Sequence, residues 1–333
     1  MKSNRRNHYD VTDTVRISHP GDVGCEIMRL VGNLHPQADL GAIDRATQIF
    51  ARLYSGSYPG YHGCDTWYHD AQHSLDCALA YARLLDGHER SVAASDRLGP
   101  RRAVLGVVIS LFHDAGYIRR KDESAANGAE FTLTHVSRSA DFLAQLLPRL
   151  GFADDAELTR QIVHFTGYEI ELDKIRVTAS KDRTLGFLIG TADILAQTAD
   201  RCYLEKCRDF LFREFEICGL AGNPDTASVS DVQPQYENVE ALLTNTPAFN
   251  QQLWKQRLDG YFGSVHQYME AHFGGRNPYA EQIDHHLALI AKLIRTQSLH
   301  KLTKRPDAID AAALRQVLKA PAIERKSSLA RAA

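Results

Sequence analysis

The sequence feature that most constrains the fold is an apolar run that ends in two ionisable residues. Almost every residue from Ala103 to Phe112 is apolar. A helix that is apolar on all sides belongs in the centre of a globular core, and this run is far shorter than the roughly 20 residues that span a bilayer. His113 and Asp114 follow it directly. Because unpaired charge is costly in such a place, the pair needs a partner.

Most of the remaining chain has helical periodicity. Apolar residues recur every three to four positions, which is the spacing of one helix face, and little of the sequence alternates as a half-buried strand would. No convincing internal repeat is present. The sequence therefore predicts an all-α protein. The predicted helices cover residues 25–34, 43–54, 69–86, 101–113, 134–150, 157–165, 182–218, 249–273 and 279–300.

Composition limits the partners of such a chain. Its 333 residues are 44% hydrophobic and 24% charged, which is enough apolar material for a substantial core. The formal charge of −2 gives no global field for nucleic acid or for an anionic membrane, so we expect neither partner. The six cysteines form no C-x-x-C pair, and the polar start Met1 to Asn7 leads into no signal-peptide core. We predict a soluble, cytoplasmic protein.

A set of histidines and carboxylates could supply the missing partner of the His113-Asp114 pair. In the stretch YHDAQHSLD, residues 68–76, His69 and His73 stand one turn apart if the predicted helix begins at His69. Six residues on or beside predicted helices could converge on divalent ions, as in metal-binding helical bundles. The alternative is that these are unrelated histidines and acids. The six are His73, His113, Asp114, His135, His164 and Asp193.

The donor atoms of this set indicate the kind of metal. Mixed nitrogen and oxygen ligands suit Mn, Fe, Co, Ni or Zn, whereas Mg usually prefers oxygen ligands and could occupy one site. Six ligands are too many for one ion that must keep a position open. We therefore predict two divalent transition metals bridged by Asp114 and by a water or hydroxide.

At these residues the chain resembles the HD superfamily of metal-dependent phosphohydrolases. The stretch from Tyr68 to His73 is similar to the Y-H-N-x-x-H signature of its cyclic-nucleotide phosphodiesterases, and the HD pair and a late Asp follow in the superfamily's order. The resemblance covers about residues 60–215. It implies an HD-domain helical bundle with additional N- and C-terminal helices and a leaving-group acid at His69. It also implies a first metal held by His73, His113, Asp114 and Asp193.

The chain departs from that phosphodiesterase pattern at several positions. Asp70 stands where those enzymes have Asn, and the sequence after Asp114 lacks the further His and Gly-Asn elements that follow their HD pair. His135 and His164 instead resemble the two extra histidines of bacterial dinuclear HD proteins, including the HD-GYP phosphodiesterases and the related diiron oxygenases. HD-GYP proteins, however, usually have Lys where this chain has Tyr117, and they carry a G-Y-P element that is absent here.

The predicted organisation places this core between two groups of helices. We expect a flexible arm at residues 1–17, N-terminal helices at 18–60, the HD metal-binding catalytic core at 61–218, a linker at 219–235, C-terminal helices packing on the core at 236–300 and a polar tail at 301–333. The C-terminal helices could cover the site, form the face of a homodimer or complete the core.

The expected activity follows from the resemblance. It implies hydrolysis of a small nucleotide-type phosphoester, with a phosphodiester as the preferred substrate, by a metal-bridging hydroxide while His69 protonates the departing alkoxide. Arg119, Arg120 and Lys121 could bind the phosphate, and Gln197 could line the site. One alternative is a diiron HD-type oxygenase, since the same ligands can hold two irons. Another is a non-catalytic signalling module in which the metals are structural.

Overall fold

The computed structural model describes residues 6–222, 233–304 and Leu314. Within these ranges the chain forms helices and no β-sheet, and its β pairing consists of isolated bridges such as Tyr9 with Arg16. The prediction of an all-α fold is confirmed. No described helix is both long enough and apolar enough to cross a membrane.

The α-helices of the described residues follow one another with short 3-10 and π-helical segments between them. They are α1 (Pro20–Leu34), α2 (Leu40–Tyr54), α3 (Ala71–Ser91), α4 (Gly99–Phe112), α5 (His135–Leu150), α6 (Ala156–Ile162), α7 (Ser180–Thr198), α8 (Tyr203–Lys206), α9 (Phe212–Cys218), α10 (Val239–Leu253), α11 (Tyr268–His272) and α12 (Pro278–Arg295).

Helices α3 and α4 form the centre of the molecule. Helix α4 is buried from Ala103 to Phe112, as its apolar sequence predicts. Helix α3 is buried from Ala71 to Glu89 although it carries several charged residues, because α1, α4, α7 and α11 pack around it. Polar groups of α3 must therefore find their partners inside the protein rather than in water.

The beginning of α3 differs from the prediction by two residues. Asp70 caps the helix, since its carboxylate accepts the backbone N–H of His73 at 2.9 Å. His69 consequently lies just before the helix and not on its first turn. The two histidine rings still lie close together, with 6.2 Å between their centroids.

Two long predicted helices have different bounds in the structure. The run predicted over 182–218 is divided after Thr198, where Asp200 accepts the backbone N–H of Cys202 in a turn, and again by a π-helical segment over Cys207–Leu211. Helix α10 begins ten residues before the prediction of 249, because Asn238 caps it by accepting the N–H of Ala241.

Part of the segment predicted as a flexible arm, residues 1–17, packs against the core. In its described part, residues 6–17, the side chains of Val11, Val15 and Ile17 are buried in the core. Asp10 is also buried and lies 2.7 Å from the guanidinium of Arg83 on α3. The local sequence gives no sign of this ion pair, because Asp10 and Arg83 are 73 residues apart.

The C-terminal helices pack beside the central ones. Helix α12 lies against α7 and α8, and α10 lies against α12 and the π-helical segment after α8. Together they form a second, smaller hydrophobic cluster that includes Tyr68, Leu204, Leu242 and Ile290. The division of the chain into domains stays a prediction. Residues 223–232 of the predicted linker, and residues 305–313 and 315–333 of the predicted tail, lie outside the described residues.

Candidate metal centre

Four of the predicted ligands converge where three helices meet. His73 comes from the first turn of α3, His113 and Asp114 follow α4, and Asp193 lies within α7. All four side chains are buried. The distances are 3.3 Å from His73 Nε2 to His113 Nε2, 3.1 Å from His73 Nε2 to Asp193 Oδ1, 3.4 Å from His73 Nε2 to Asp114 Oδ2, 3.3 Å from His113 Nε2 to Asp114 Oδ2 and 3.4 Å from His113 Nε2 to Asp193 Oδ1.

These distances fit the spacing of atoms around one metal ion. Two ligand atoms that are each about 2.1 Å from an ion lie about 3.0 Å apart at a right angle and about 3.4 Å apart at the tetrahedral angle. The separations within the cluster, 3.1 to 3.4 Å, fall in this interval. Nε2 of each histidine therefore lies at ligand spacing from both carboxylates, and His73, His113 and Asp114 are close enough together to share one ion.

The hydrogen bonds around the cluster leave it rich in acceptors. The carbonyl oxygen of Ser110 can only accept, so His113 Nδ1, 2.9 Å away, carries the proton. In neutral His113, Nε2 then carries a lone pair that faces the other predicted ligands. Asp114 Oδ2 and Asp193 Oδ1 are buried and have no hydrogen-bond partner. Acceptors that face one another in this way require a cation or a proton between them.

Electrostatics in the cluster favour a positive charge. Burial lowers the pKa of His113, but the neighbouring carboxylate of Asp114 outweighs it and holds that pKa well above its usual value. Burial likewise raises the pKa of Asp114 and Asp193, and the histidines outweigh it and hold both below the usual range. A proton on His113 thus occupies the place that a metal ion would take, so metal binding would release it.

Cys77 is a neighbour of the cluster that sequence reasoning missed. It lies one turn after His73 on α3 and belongs with His113 and Asp193 to a second group close enough to share an ion. Burial raises the pKa of its thiol to about 11, which keeps it protonated at neutral pH. The imidazoles and carboxylates are therefore better ligands than Cys77.

His135 lies beside the cluster and faces Oδ1, the second carboxylate oxygen of Asp114. His135 Nε2 is 3.6 Å from Asp114 Oδ1, and its Nδ1 donates to the carbonyl of Thr132 at 2.7 Å. Burial lowers the pKa of His135, which favours the neutral form that binds metals. The two oxygens of Asp114 therefore face different imidazoles.

His164 has no hydrogen bond or ion pair with the other predicted ligands in the described part of the chain. It is buried in the 3-10 segment Val163–Thr166, and its Nδ1 has no hydrogen-bond partner. Its role as a ligand of a second metal stays a prediction. A helical pattern in the sequence does not determine where a short 3-10 turn directs a side chain.

His69 forms a tight pair with a glutamate that the sequence analysis did not identify. His69 Nδ1 is 2.6 Å from Glu214 Oε2, and the other oxygen of Glu214 accepts the backbone N–H groups of Trp67 at 2.7 Å and Tyr68 at 2.6 Å. The ring of His69 also stacks on Tyr117 with 4.4 Å between centroids. Burial lowers the pKa of His69, but the charge of Glu214 outweighs it and raises that pKa.

One cavity of about 430 Å³ is lined by His73, Asp114 and Asp193 of the cluster, by His69 and by Gln197. The basic residues predicted to bind phosphate do not line this cavity. Arg119 instead forms an ion pair with Asp65 at 2.7 Å, and Arg120 and Lys121 are exposed. After the 3-10 turn that follows Asp114, backbone hydrogen bonds to residues 60–62 carry this segment away from the cavity.

The cation that does line the cavity is Arg257. It lies in the π-helical segment Trp254–Tyr261, donates to the carbonyl oxygen of Gly167 and sits 3.9 Å from the ring centroid of Tyr168. Neither Arg257 nor Glu214 has a local sequence signal. Glu214 is 145 residues from His69 and resembles any acid on an amphipathic helix.

Comparisons with protein-family models and with curated proteins found no match for this chain. Identification of the site therefore depends on its geometry. That geometry places buried His, Asp and Cys side chains where they can hold a metal ion.

Proposed function

We propose that the chain is an HD-type metal-dependent phosphohydrolase that cleaves a small phosphoester. The observation that carries this proposal is the cluster of His73, His113, Asp114 and Asp193 at ligand spacing, with the His69–Glu214 pair in the same cavity. A metal site beside a carboxylate-linked histidine combines electrophilic and acid catalysis in one place.

The proposed metal roles follow from the positions of the ligand atoms. His73, His113, Asp114 and Asp193 would hold one ion, and the second oxygen of Asp114 together with His135 would contribute to another. When bound, divalent ions would lower the pKa of water and offset the charge of the phosphoryl oxygens. The carbonyl groups of Ser110 and Thr132 orient the two imidazoles by accepting their Nδ1 protons.

His69 is proposed as the acid that protonates the leaving oxygen. Glu214 accepts the Nδ1 proton, and it is itself held by two backbone N–H groups, so the imidazole has one orientation. The raised pKa of His69 favours a second proton, on Nε2. His69 would donate that proton to the departing alkoxide. A general acid must carry its proton at the pH at which the enzyme works. Arg257, which lines the same cavity, is the candidate for holding a phosphoryl oxygen in place.

The same ligands could also serve a diiron oxygenase, which is the alternative function. The His69–Glu214 pair favours hydrolysis, because cleavage of a phosphoester needs an acid for its leaving group. A non-catalytic metal-binding module would need no such acid and no cavity beside the metals.

The test is turnover under exclusion of oxygen. Protein loaded with Mn²⁺ should contain close to two ions per chain and should hydrolyse bis(4-nitrophenyl) phosphate equally well with and without oxygen. His69→Asn should keep the metals and lose turnover most strongly on esters with poor leaving groups, whereas His300→Asn at an exposed position should behave as the unmodified protein.

Three outcomes would overturn the proposal. Oxygen-dependent turnover would instead select the oxygenase, and full metal loading without any turnover would select the non-catalytic module. Failure of Mn²⁺, Fe²⁺ and Co²⁺ to bind would remove the metal centre itself.

A further inference from the structure

The outer part of the metal cavity has a different character from its floor. Beyond the ligands, the walls are mostly aromatic and aliphatic. They are contributed by the segment after Thr166, by the helical segments around α9 and by α10. The side chains include Tyr168, Leu211, Phe215, Leu242, Phe249 and Leu253. The cavity therefore joins a polar metal-binding floor to an apolar compartment.

Exposed apolar side chains mark the same cavity. Within the described part of the chain, the large hydrophobic residues that remain exposed are Leu133 at 44%, Tyr168 at 68% and Phe249 at 37%. All three line this cavity although they come from three separate segments. Clustering of exposed apolar surface at one cavity indicates contact with an apolar ligand, since scattered exposure would need no explanation.

Positive charge is scarce in this compartment. Among the described residues that line the cavity, Arg257 is the single Arg or Lys. Part of its hydrogen-bonding capacity is already used by Gly167, and its guanidinium lies over Tyr168. A chain of further phosphates extending from the metals would leave its charges without cations in an apolar environment, which is unfavourable.

We infer that the substrate carries one phosphoryl group, held at the metals, on an apolar organic body that fills the outer compartment. This inference rests on the proposed phosphohydrolase function and narrows its substrate class. A cavity of about 430 Å³ has room for a phosphoryl group with a short alkyl chain or an aromatic ring.

The test measures binding by calorimetry to Mn²⁺-loaded protein, with three phosphonates that resist P–O cleavage. These are methylphosphonate, butylphosphonate and 3-phosphonopropionate, the last of which ends its carbon chain in a carboxylate. Butylphosphonate should bind about tenfold or more tightly than methylphosphonate, because its added methylene groups leave water. The carboxylate-ended chain should gain nothing over methylphosphonate.

Substitution of Phe249 tests the compartment itself. Because Phe249 is partly exposed, Phe249→Asn should fold, which thermal unfolding and metal content would verify. It should reduce the preference for butyl over methyl to about threefold or less without weakening methylphosphonate. Phe249→Leu keeps an apolar side chain and should retain most of the preference.

The outcomes separate the inference from the proposed function. Equal binding of the three phosphonates, tightest binding of the carboxylate-ended one, or no binding of any would overturn the inference. Turnover of bis(4-nitrophenyl) phosphate, measured in parallel, decides the phosphohydrolase proposal. A butyl preference without turnover would support the apolar compartment and overturn hydrolysis, and turnover without the preference would do the reverse.

Discussion

Two buried polar clusters share helix α3, and they differ in whether their charges are paired. In the first, Arg83 lies 2.7 Å from Asp10 Oδ2 and 2.9 Å from the hydroxyl of Tyr279, and Arg201 lies 3.0 Å from Asp13. In the candidate metal centre, Nε2 of His73 and Nε2 of His113 face two carboxylates and one another. Buried polar residues alone therefore do not identify a site; imidazoles and carboxylates that converge at ligand spacing do.

The two clusters also have different consequences for stability. Removing one partner of a buried ion pair such as Arg83–Asp10 strongly lowers the stability of the fold, because the remaining charge is buried without compensation. In the candidate metal centre without its ions, the two carboxylates have only the imidazoles as partners, so substitution there should change function far more than folding. The predictions below test this difference.

The largest effect is expected from Asp114→Asn. Asp114 contacts the imidazoles of His73 and His113 with one oxygen and faces His135 with the other, so its loss should remove both proposed ions. We expect metal content near zero and turnover reduced by about a thousandfold or more, as for loss of an essential catalytic ion. Mass spectrometry of the metals and steady-state kinetics measure this. Asp122→Asn, an exposed control, should retain both properties.

Arg83→Met should lower the free energy of unfolding by about 3 to 5 kcal/mol, because Asp10 would be left charged and buried. Urea titration gives the value, and Arg90→Met on the same helix is the control. The side chain of Arg90 is 59% exposed in its pair with Asp86 and should contribute less than about 1 kcal/mol. Asp193→Asn in metal-free protein should cost less than Arg83→Met, and a larger loss there would contradict the comparison.

Glu214→Gln should move the alkaline limb of the pH–rate profile to lower pH. The charge of Glu214 raises the pKa of His69, and the acid works only while His69 is protonated. Without that charge the proton is lost at lower pH, and turnover at neutral pH should fall by about tenfold to a hundredfold. Metal content should not change. Glu216→Gln, on the exposed side of α9, should leave the profile in place.

Acid should weaken the paired cluster through Asp10. Burial raises the pKa of Asp10, but Arg83 and the hydrogen bonds to its carboxylate outweigh it and lower that pKa from 3.8 to about 2. Its contribution to stability is complete above the unfolded value and is lost as pH falls through the folded one. The loss should be about 2 kcal/mol. Urea titrations between pH 6 and pH 2 should show this component in the unmodified protein and not in Asp10→Asn.

The smallest effect is expected at the basic residues that follow the HD pair. Arg120 and Lys121 are exposed and line no part of the cavity, so Arg120→Ala and Lys121→Ala should each change kcat/KM by less than about twofold. Kinetics on a phosphodiester measure this. A loss of tenfold or more would return these residues to the substrate site.

Much of the site could be predicted from local sequence. The apolar run before His113 required a buried helix end with a binding partner, and the position of His73 early in α3 followed from its helical pattern. Asp193 was found because it interrupts the apolar face of a long helix. The position of His164 was not predictable in the same way, since the helix there changes into a 3-10 turn.

The sequence by itself determined the helices, the central place of α4 and the types of ligand, because periodicity and the cost of burying charge act over a few neighbouring residues. Only the tertiary structure decided which distant residues complete the site. Glu214 beside His69, Arg257 in the cavity and Arg119 paired with Asp65 bring together residues that are far apart in the sequence. Such contacts arise from packing between elements, for which a local pattern carries no signal.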